Sequence, residues 1–149
     1  MIANLIAWLA DPAHHGDILT RTLEHLQYSL VATLLAALVA IPLGLWIGHT
    51  GRGAVSVVGS AGSARAIPSL GLLYLVVLWL GPKIGGDLAF YIPNMIVLVV
   101  LAIPPILSGT YAGIAGVDPA AGDAAKGMGL RGGQVLTQVE IPCALPLIF

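Results

Sequence analysis

The sequence predicts an all-α integral membrane protein, and three observations carry that prediction. Hydrophobic residues make up 58% of the 149 residues and charged residues only 9%, against roughly a quarter in ordinary globular chains. The mean hydropathy is +0.96. The apolar residues form long runs that short polar segments separate. A chain with so few charges cannot cover itself with a solvated surface, so lipid is its expected solvent.

The composition also excludes several classes of function. No basic run is present, which argues against nucleic-acid binding. The single cysteine cannot form an internal disulfide, and the four histidines lack the spacing of a metal site. No GxxxxGK[ST] phosphate loop occurs. An intramembrane enzyme would need convergent acid, base or metal ligands within the apolar runs, and these are missing. We therefore expect no catalytic residue, metal site or cofactor on this chain.

The first apolar run, residues 26–48, contains 23 residues without a charge. As a helix it would be roughly 35 Å long, enough to cross a hydrocarbon core of ~30 Å. Gly44 and Gly48 could allow a close helix contact, but glycine is common in such helices, and frequency alone is the preferred explanation of this pair. Residues 1–21 are expected to be an external segment. Within them, residues 2–9 form either an interfacial helix or a frayed end.

The second apolar run, residues 54–80, is interrupted by Arg65. Residues 66–80 alone would give only about 22 Å of helix, so we expect the helix to begin before Arg65. Pro68 would then bend it midway. Arg65 faces either a water-filled path or the lipid headgroups, and the headgroups are the preferred interpretation.

The third run, residues 88–113, is again long enough to span, with Asn94 among its few polar side chains. A fourth apolar segment begins at Pro142, and the sequence ends inside it. The sequence is therefore expected to be a fragment or a truncated protein, with about three full spans and the start of a fourth.

The basic residues predict an orientation. Arg52 and Arg65 precede or begin the second run, and Lys126 and Arg131 follow the third. These four of the six basic residues lie on one side, so the positive-inside rule places residues 118–142 in the cytoplasm and the N-terminus outside.

The segment from Asp118 to Pro142 is polar for 25 residues between two apolar runs. Asp118 and Pro119 predict a helix start, and Gly127 and Gly129 predict its end. A turn at residues 132–133 and a second helix over 134–141 would follow. Four small or apolar residues of the first helix are expected to share one face: Ala121, Ala124, Ala125 and Met128. This helix–turn–helix is either a docking surface for another protein or an ordinary cytoplasmic loop.

Within this segment the sequence resembles the coupling-loop signature of ABC importer permeases, E-A-A, three residues, G, nine residues, I-x-L-P. The chain has Asp123-Ala124-Ala125, three residues, Gly129, nine residues, and Val139-Glu140-Ile141-Pro142. The spacing fits throughout, with Asp for Glu, Val for Ile and Ile for Leu. The strings AIPSLGLL from residue 66, TYAGIAGVDP from residue 110 and KGMG from residue 126 resemble the osmoprotectant branch, which imports glycine betaine, carnitine and choline. Permeases for methionine or sulfonates share much of the pattern.

The resemblance implies that residues 22–149 are a C-terminally incomplete type I ABC importer transmembrane domain, with a coupling loop at 117–142. The residues expected to couple to the ATPase are Asp123, Ala124, Ala125, Met128, Gly129 and Pro142. The candidates for lining a translocation path are Arg65, Pro68, Ser69 and Asn94. The resemblance also implies a multi-pass position in the cell (inner) membrane. ATP and magnesium would bind a separate ATP-binding subunit, and the further partners would be an extracytoplasmic substrate-binding protein, a second permease subunit and membrane lipid. A helical membrane subunit without transport activity, or a channel, is the alternative from another class.

Overall fold

The computed structural model describes residues 8, 11–56, 59, 63, 68–86 and 88–148, and these residues contain helices and no strand. The all-α prediction is confirmed for this part of the chain. The helices are α1 (Pro12–Thr50), α2 (Ser69–Ile84), α3 (Leu88–Ala115), α4 (Pro119–Gly127), α5 (Gly132–Val135), a π-helical segment (Leu136–Glu140) and α6 (Ile141–Ile148).

Two of these helices are long and apolar enough to cross a membrane, over His15–Thr50 and Leu88–Ala115. The 39 residues of α1 make a helix of about 58 Å, much longer than a hydrocarbon core of ~30 Å. Its first turns carry Asp17, Arg21 and Glu24, and these charges suit a part of the helix that lies beyond the lipid. The predicted spans at 26–48 and 88–113 therefore lie inside longer helices.

A stripe of small residues joins α1 to α3, its principal partner. Every fourth residue of α1 belongs to the stripe: Ala32, Ala36, Ala40, Gly44 and Gly48. A methyl group on Gly44 would lie 2.7 Å from Thr110 Cβ, and one on Gly48 would lie 2.7 Å from Ile114 Cβ. Both glycines are therefore required by a close helix contact, and the explanation by frequency alone is wrong. Because both contacts advance by four residues in the same direction, α1 and α3 run parallel.

The second span differs from its prediction. Pro68 has an extended backbone (φ −65°, ψ 112°) and precedes α2, which begins at Ser69. The prediction of a single helix bent at Pro68 is therefore wrong. Proline lacks an N–H donor and fits the start of a helix better than its interior. The 16 residues of α2 give about 24 Å of helix. Residues 54–56, 59 and 63, which precede Arg65 in the predicted run, are also helical. Arg65 itself lies outside the described residues, as do nearly all of residues 2–9.

A tight turn returns the chain from α2 to α3. Gly85 and Gly86 both have positive φ values, of 69° and 64°, which side chains rarely tolerate. A methyl group on Gly81 would lie 3.3 Å from the carbonyl oxygen of Ala89, so the end of α2 packs on the start of α3. These two helices run antiparallel, and α2 runs antiparallel to α1 as well.

The outward surface of the three long helices is apolar. Exposed leucine and aromatic side chains occur on each of them, including Leu34, Leu38, Leu78, Trp79 and Phe90. Soluble monomers rarely expose continuous apolar surface of this kind. The surface is of the type that lipid or another membrane subunit covers.

Candidate functional site: the loop between α3 and α6

The first helix of the loop begins as predicted. The Asp118 carboxylate accepts a hydrogen bond from the backbone N–H of Ala120 at 2.9 Å, and Pro119 is the first helical residue. An aspartate in this position satisfies an N–H group that has no partner within the helix. The start of α4 is thus determined by two adjacent residues.

The end of α4 explains the glycine of the signature. Leu130 N–H donates to Ala125 O at 3.2 Å, and Gly129 N–H donates to Lys126 O at 2.9 Å. This pair of bonds is a Schellman motif, in which the residue after the cap adopts a left-handed conformation. Gly129 has φ 91°, so a glycine is strongly favoured there.

The sharp turn therefore lies at Gly129, and the prediction of a turn at residues 132–133 is wrong. Gly132 and Gly133 instead begin α5. The side-chain oxygen of Gln134 accepts from the backbone N–H of Arg131 at 2.8 Å, which fixes this second start. The second helix of the loop was expected over 134–141, and it begins two residues earlier.

From α5 the helix continues through the π segment into α6 without a break. Ile141 N–H donates to Leu136 O, five residues back, where an α-helix would bond four residues back. Such π segments are rare and short. Pro142, the last residue of the signature, lies in the first turn of α6.

The two faces of α4 have different surroundings. Gly122 is buried and Ala125 is only 1% exposed, so both face the chain itself. Ala124 is exposed and Met128 is 75% exposed. The expectation that Ala125 shares the open face is wrong. The loop folds back on itself, so that α5 and the π segment pack against α4. The open face carries Ala124 and Met128.

The charges at the rim of this face are solvated. Lys126 Nζ lies 3.3 Å from Asp123 Oδ1, and both side chains are more than 60% exposed. An exposed pair one turn apart contributes about 0–1 kcal/mol to stability. Asp123 is therefore available to a partner at little cost to the fold.

A contact that the sequence did not predict joins the loop to α1. His49 Nδ1 and Glu140 Oε2 are 2.7 Å apart, with 23% and 17% of the two side chains exposed. The residues are 91 positions apart, so no local spacing could have identified the pair. His49 lies in the last turn of α1, and Glu140 is the last residue of the π segment.

The candidate path residues are not brought together. Ser69 is exposed at the start of α2, and Asn94 is half-buried in the second turn of α3. Because α2 and α3 are antiparallel, these two residues lie toward opposite ends of the helices. Pro68 is exposed beside Ser69, and Arg65 lies outside the described residues. A path role for these four residues remains a prediction.

The loop is part of a region that is similar to known proteins. Residues 32–149 match the family model described as "Binding-protein-dependent transport system inner membrane component". Over 133 residues the chain is 36% identical to the glycine betaine/carnitine/choline transport system permease protein OpuCB of Bacillus subtilis, covering 89% of this chain and 58% of that protein.

Two further relatives resemble the chain to a similar extent. The choline transport system permease protein OpuBB of Bacillus subtilis is 34% identical over 133 residues, covering 89% of this chain and 58% of that protein. The osmoprotectant import permease protein OsmW of Salmonella typhimurium is 31% identical over 146 residues, covering 98% of this chain and 66% of that protein. The chain thus spans about three fifths of the length of such relatives. No solved structure gave a significant match.

Proposed function

We propose that this chain, which belongs to the family of binding-protein-dependent transport system inner membrane components, is part of the permease of an ATP-driven osmoprotectant importer. It would form part of the membrane path and couple that path to a separate ATPase. The observation that carries the proposal is α4: a short, capped helix with a small exposed face, held between apolar helices at the spacing of the coupling signature.

The exposed face of α4 suits docking in a groove. Ala124 has little side chain to keep a partner away, and Met128 offers a flexible apolar side chain beside it. A helix that lays such a face in a groove is a recurrent mode of recognition. Asp123 and Lys126 at the rim would orient it. ATP and magnesium would bind the partner, and this chain would receive the movement that ATP binding produces.

The connections of the loop suit the transmission of that movement. At one end, α4 follows α3 after a link of three residues, 116–118. At the other, α6 packs on α3, because a methyl group on Gly113 would lie 2.8 Å from Ile148 Cγ1. A displacement of α4 would therefore reach the end of α3 by both routes. Alternating access would follow as a rigid-body movement of packed helices.

The substrate class follows from the names of the relatives. Glycine betaine, carnitine and choline appear in the names of similar permeases of Bacillus subtilis, and carnitine in that of a Listeria monocytogenes protein. These names favour a small zwitterionic or quaternary-ammonium osmolyte over methionine, another amino acid or a sulfonate. An extracytoplasmic binding protein would deliver the solute, and a second permease subunit would complete the path in the inner membrane.

Uptake in cells tests this proposal. A strain that lacks its own osmolyte importers would receive the full-length gene together with its neighbouring ATPase and binding-protein genes. We expect accumulation of labelled glycine betaine, carnitine or choline that depends on the permease gene. Labelled methionine is the matched control solute. Uptake of methionine alone would overturn the substrate class, and absence of ATP-dependent uptake of any of these solutes would overturn the function.

A further inference from the structure

The contact between His49 and Glu140 differs from two ion pairs elsewhere in the described residues. Arg21–Glu24 and Asp123–Lys126 each lie within one helix, three residues apart, and are largely exposed. His49–Glu140 joins two separate elements and is mostly shielded from water. Shielding strengthens a charge-assisted hydrogen bond and also raises the cost of losing one partner. This contact therefore links two helices through a shielded hydrogen bond.

The His49 ring contacts Glu140 and lies near Gly132, at the start of the second helical segment of the loop. Its Nδ1 atom faces Glu140 at 2.7 Å, while a methyl group on Gly132 would lie 3.5 Å from its Nε2 atom. An ionised carboxylate only accepts hydrogen bonds, so with an ionised Glu140 the donor in this contact is His49 Nδ1. The end of α1 thus lies beside α5 and the π segment, with its one recorded side-chain hydrogen bond there at Glu140.

A π segment begins after Val135 and ends at Glu140. It adds one residue to a turn, so residues beyond it are rotated by about 100° relative to an uninterrupted α-helix. Val135, just before the segment, is fully buried, while Glu140, at its end, reaches α1. The π segment therefore changes the angle between these two side chains about the helix axis.

Other charged groups line a cavity beside Glu140. A cavity of about 120 Å³ is lined by Glu140 together with Asp118, Asp123 and Lys126. Lys126 contacts Asp123, and no contact between Lys126 and Glu140 is recorded among the described residues. His49 is the donor that approaches it from α1.

We propose that His49 and Glu140 are positioning residues that make the end of α1 move with the coupling loop as one body. The proposal rests on the proposed function of α4 as the ATPase-docking helix. The loop is already joined to α3 through the chain itself, and α3 is packed tightly on α1 through Gly44 and Gly48. The His49–Glu140 contact adds a direct link between the loop and α1, so that movement of the loop moves α1 as well as α3.

Reconstituted full-length importer tests the link, with solute import, ATP hydrolysis and ATPase recovery measured on the same samples. His49→Ala and Glu140→Ala should retain the ATPase and its hydrolysis, while solute imported per ATP falls about tenfold, the effect of losing one charge-assisted hydrogen bond. His49→Asn keeps a side-chain N–H donor and should recover most of the ratio. Glu24→Ala, which removes the exposed pair at the other end of α1, is the matched control and should change nothing.

A cross-link separates joint movement from a contact that breaks during transport. Cysteines at positions 49 and 140, in a Cys143→Ala background, would be joined by a short bifunctional thiol reagent. The double cysteine variant lacks the native contact, so without cross-link its import per ATP should be as low as that of the alanine variants. Joint movement predicts that the cross-link raises this ratio toward that of the wild-type protein. Arrest of import by the cross-link would overturn the proposal, and so would an unchanged import ratio in both alanine variants. Loss of ATPase recovery in those variants would assign the pair a purely structural role. Absence of import by the wild-type protein would instead refute the proposed function.

Discussion

Gly44 of α1 lies directly against Thr110 of α3, so closely that a methyl group on the glycine would stand 2.7 Å from Thr110 Cβ and 3.1 Å from the carbonyl oxygen of Leu107. Thr110 is 1% exposed, and its hydroxyl donates to Ile106 O of its own helix at 2.8 Å. The threonine is thus held in place, and no flexible side chain can move aside for a larger residue.

We therefore expect Gly44→Ala to destabilise the protein by about 1–3 kcal/mol, the range for added volume in a packed contact. Gly16→Ala is the matched control, because no atom lies within 4 Å of the added methyl group. It should be neutral or slightly stabilising, since alanine is the better helix former. Thermal unfolding of the full-length permease in detergent measures both. Equal melting temperatures for the two variants would contradict the close contact.

The two faces of α4 predict different outcomes for the same substitution. Ala124→Arg places bulk and charge on the exposed face, so it should leave the level of permease in the membrane unchanged and reduce ATPase recovery by at least about tenfold. An unpaired charge buried by docking costs several kcal/mol. Co-purification of the ATPase with the full-length permease measures this, and Gln138→Arg, exposed on the π segment, is the control.

Ala125→Arg is expected to act through the fold. Ala125 is 1% exposed, so an arginine there would disrupt the packing of α4 on the rest of the loop, and protease sensitivity of the loop should rise together with the loss of transport. If Ala125→Arg leaves the loop resistant while Ala124→Arg has no effect on ATPase recovery, the assignment of the docking face is wrong.

The orientation of the loop is a third prediction. The contacts of Gly44 and Gly48 place the ends of α1 and α3 at the same end of the helices, so Arg52 and Lys126 should be accessible from the same side. Single cysteines at positions 52, 83 and 126, in a Cys143→Ala background, would be treated with a membrane-impermeant thiol reagent.

In intact cells we expect labelling at position 83 alone, and in permeabilised cells labelling at all three positions. Position 83 lies at the end of α2, where Lys83 Nζ stands 4.0 Å from the centre of the Trp79 ring, an arrangement suited to a membrane interface. Labelling of position 126 but not 83 in intact cells would reverse the orientation.

Features determined by neighbouring residues were predictable from the sequence. The start of α4 needs only Asp118 and Pro119, and its end needs only a glycine that can adopt a left-handed conformation, so both were found. The apolar runs gave α1 and α3 for the same reason. Helix type and approximate extent are local properties, and local composition determines them.

Features determined by distant residues were not predictable. The side of α4 that Ala125 occupies depends on how α5 and the π segment pack against it, which helical spacing alone does not give. The role of Gly44 depends on Thr110, and that of His49 on Glu140. The prediction at Pro68 was wrong for another reason. A proline is compatible both with a bent membrane helix and with a helix start, and in the structure Pro68 precedes a helix start.

The parallel pairing of α1 with α3 has a consequence for biosynthesis. Gly44 and Thr110 are 66 residues apart, and at roughly 5–20 residues per second α1 is made several seconds before its partner exists. During that interval its alanine and glycine stripe faces lipid, at small cost because lipid tails are as apolar as leucine. Insertion of α1 before α3 is made therefore costs little, and the small-residue stripe becomes a helix contact only when α3 packs on it.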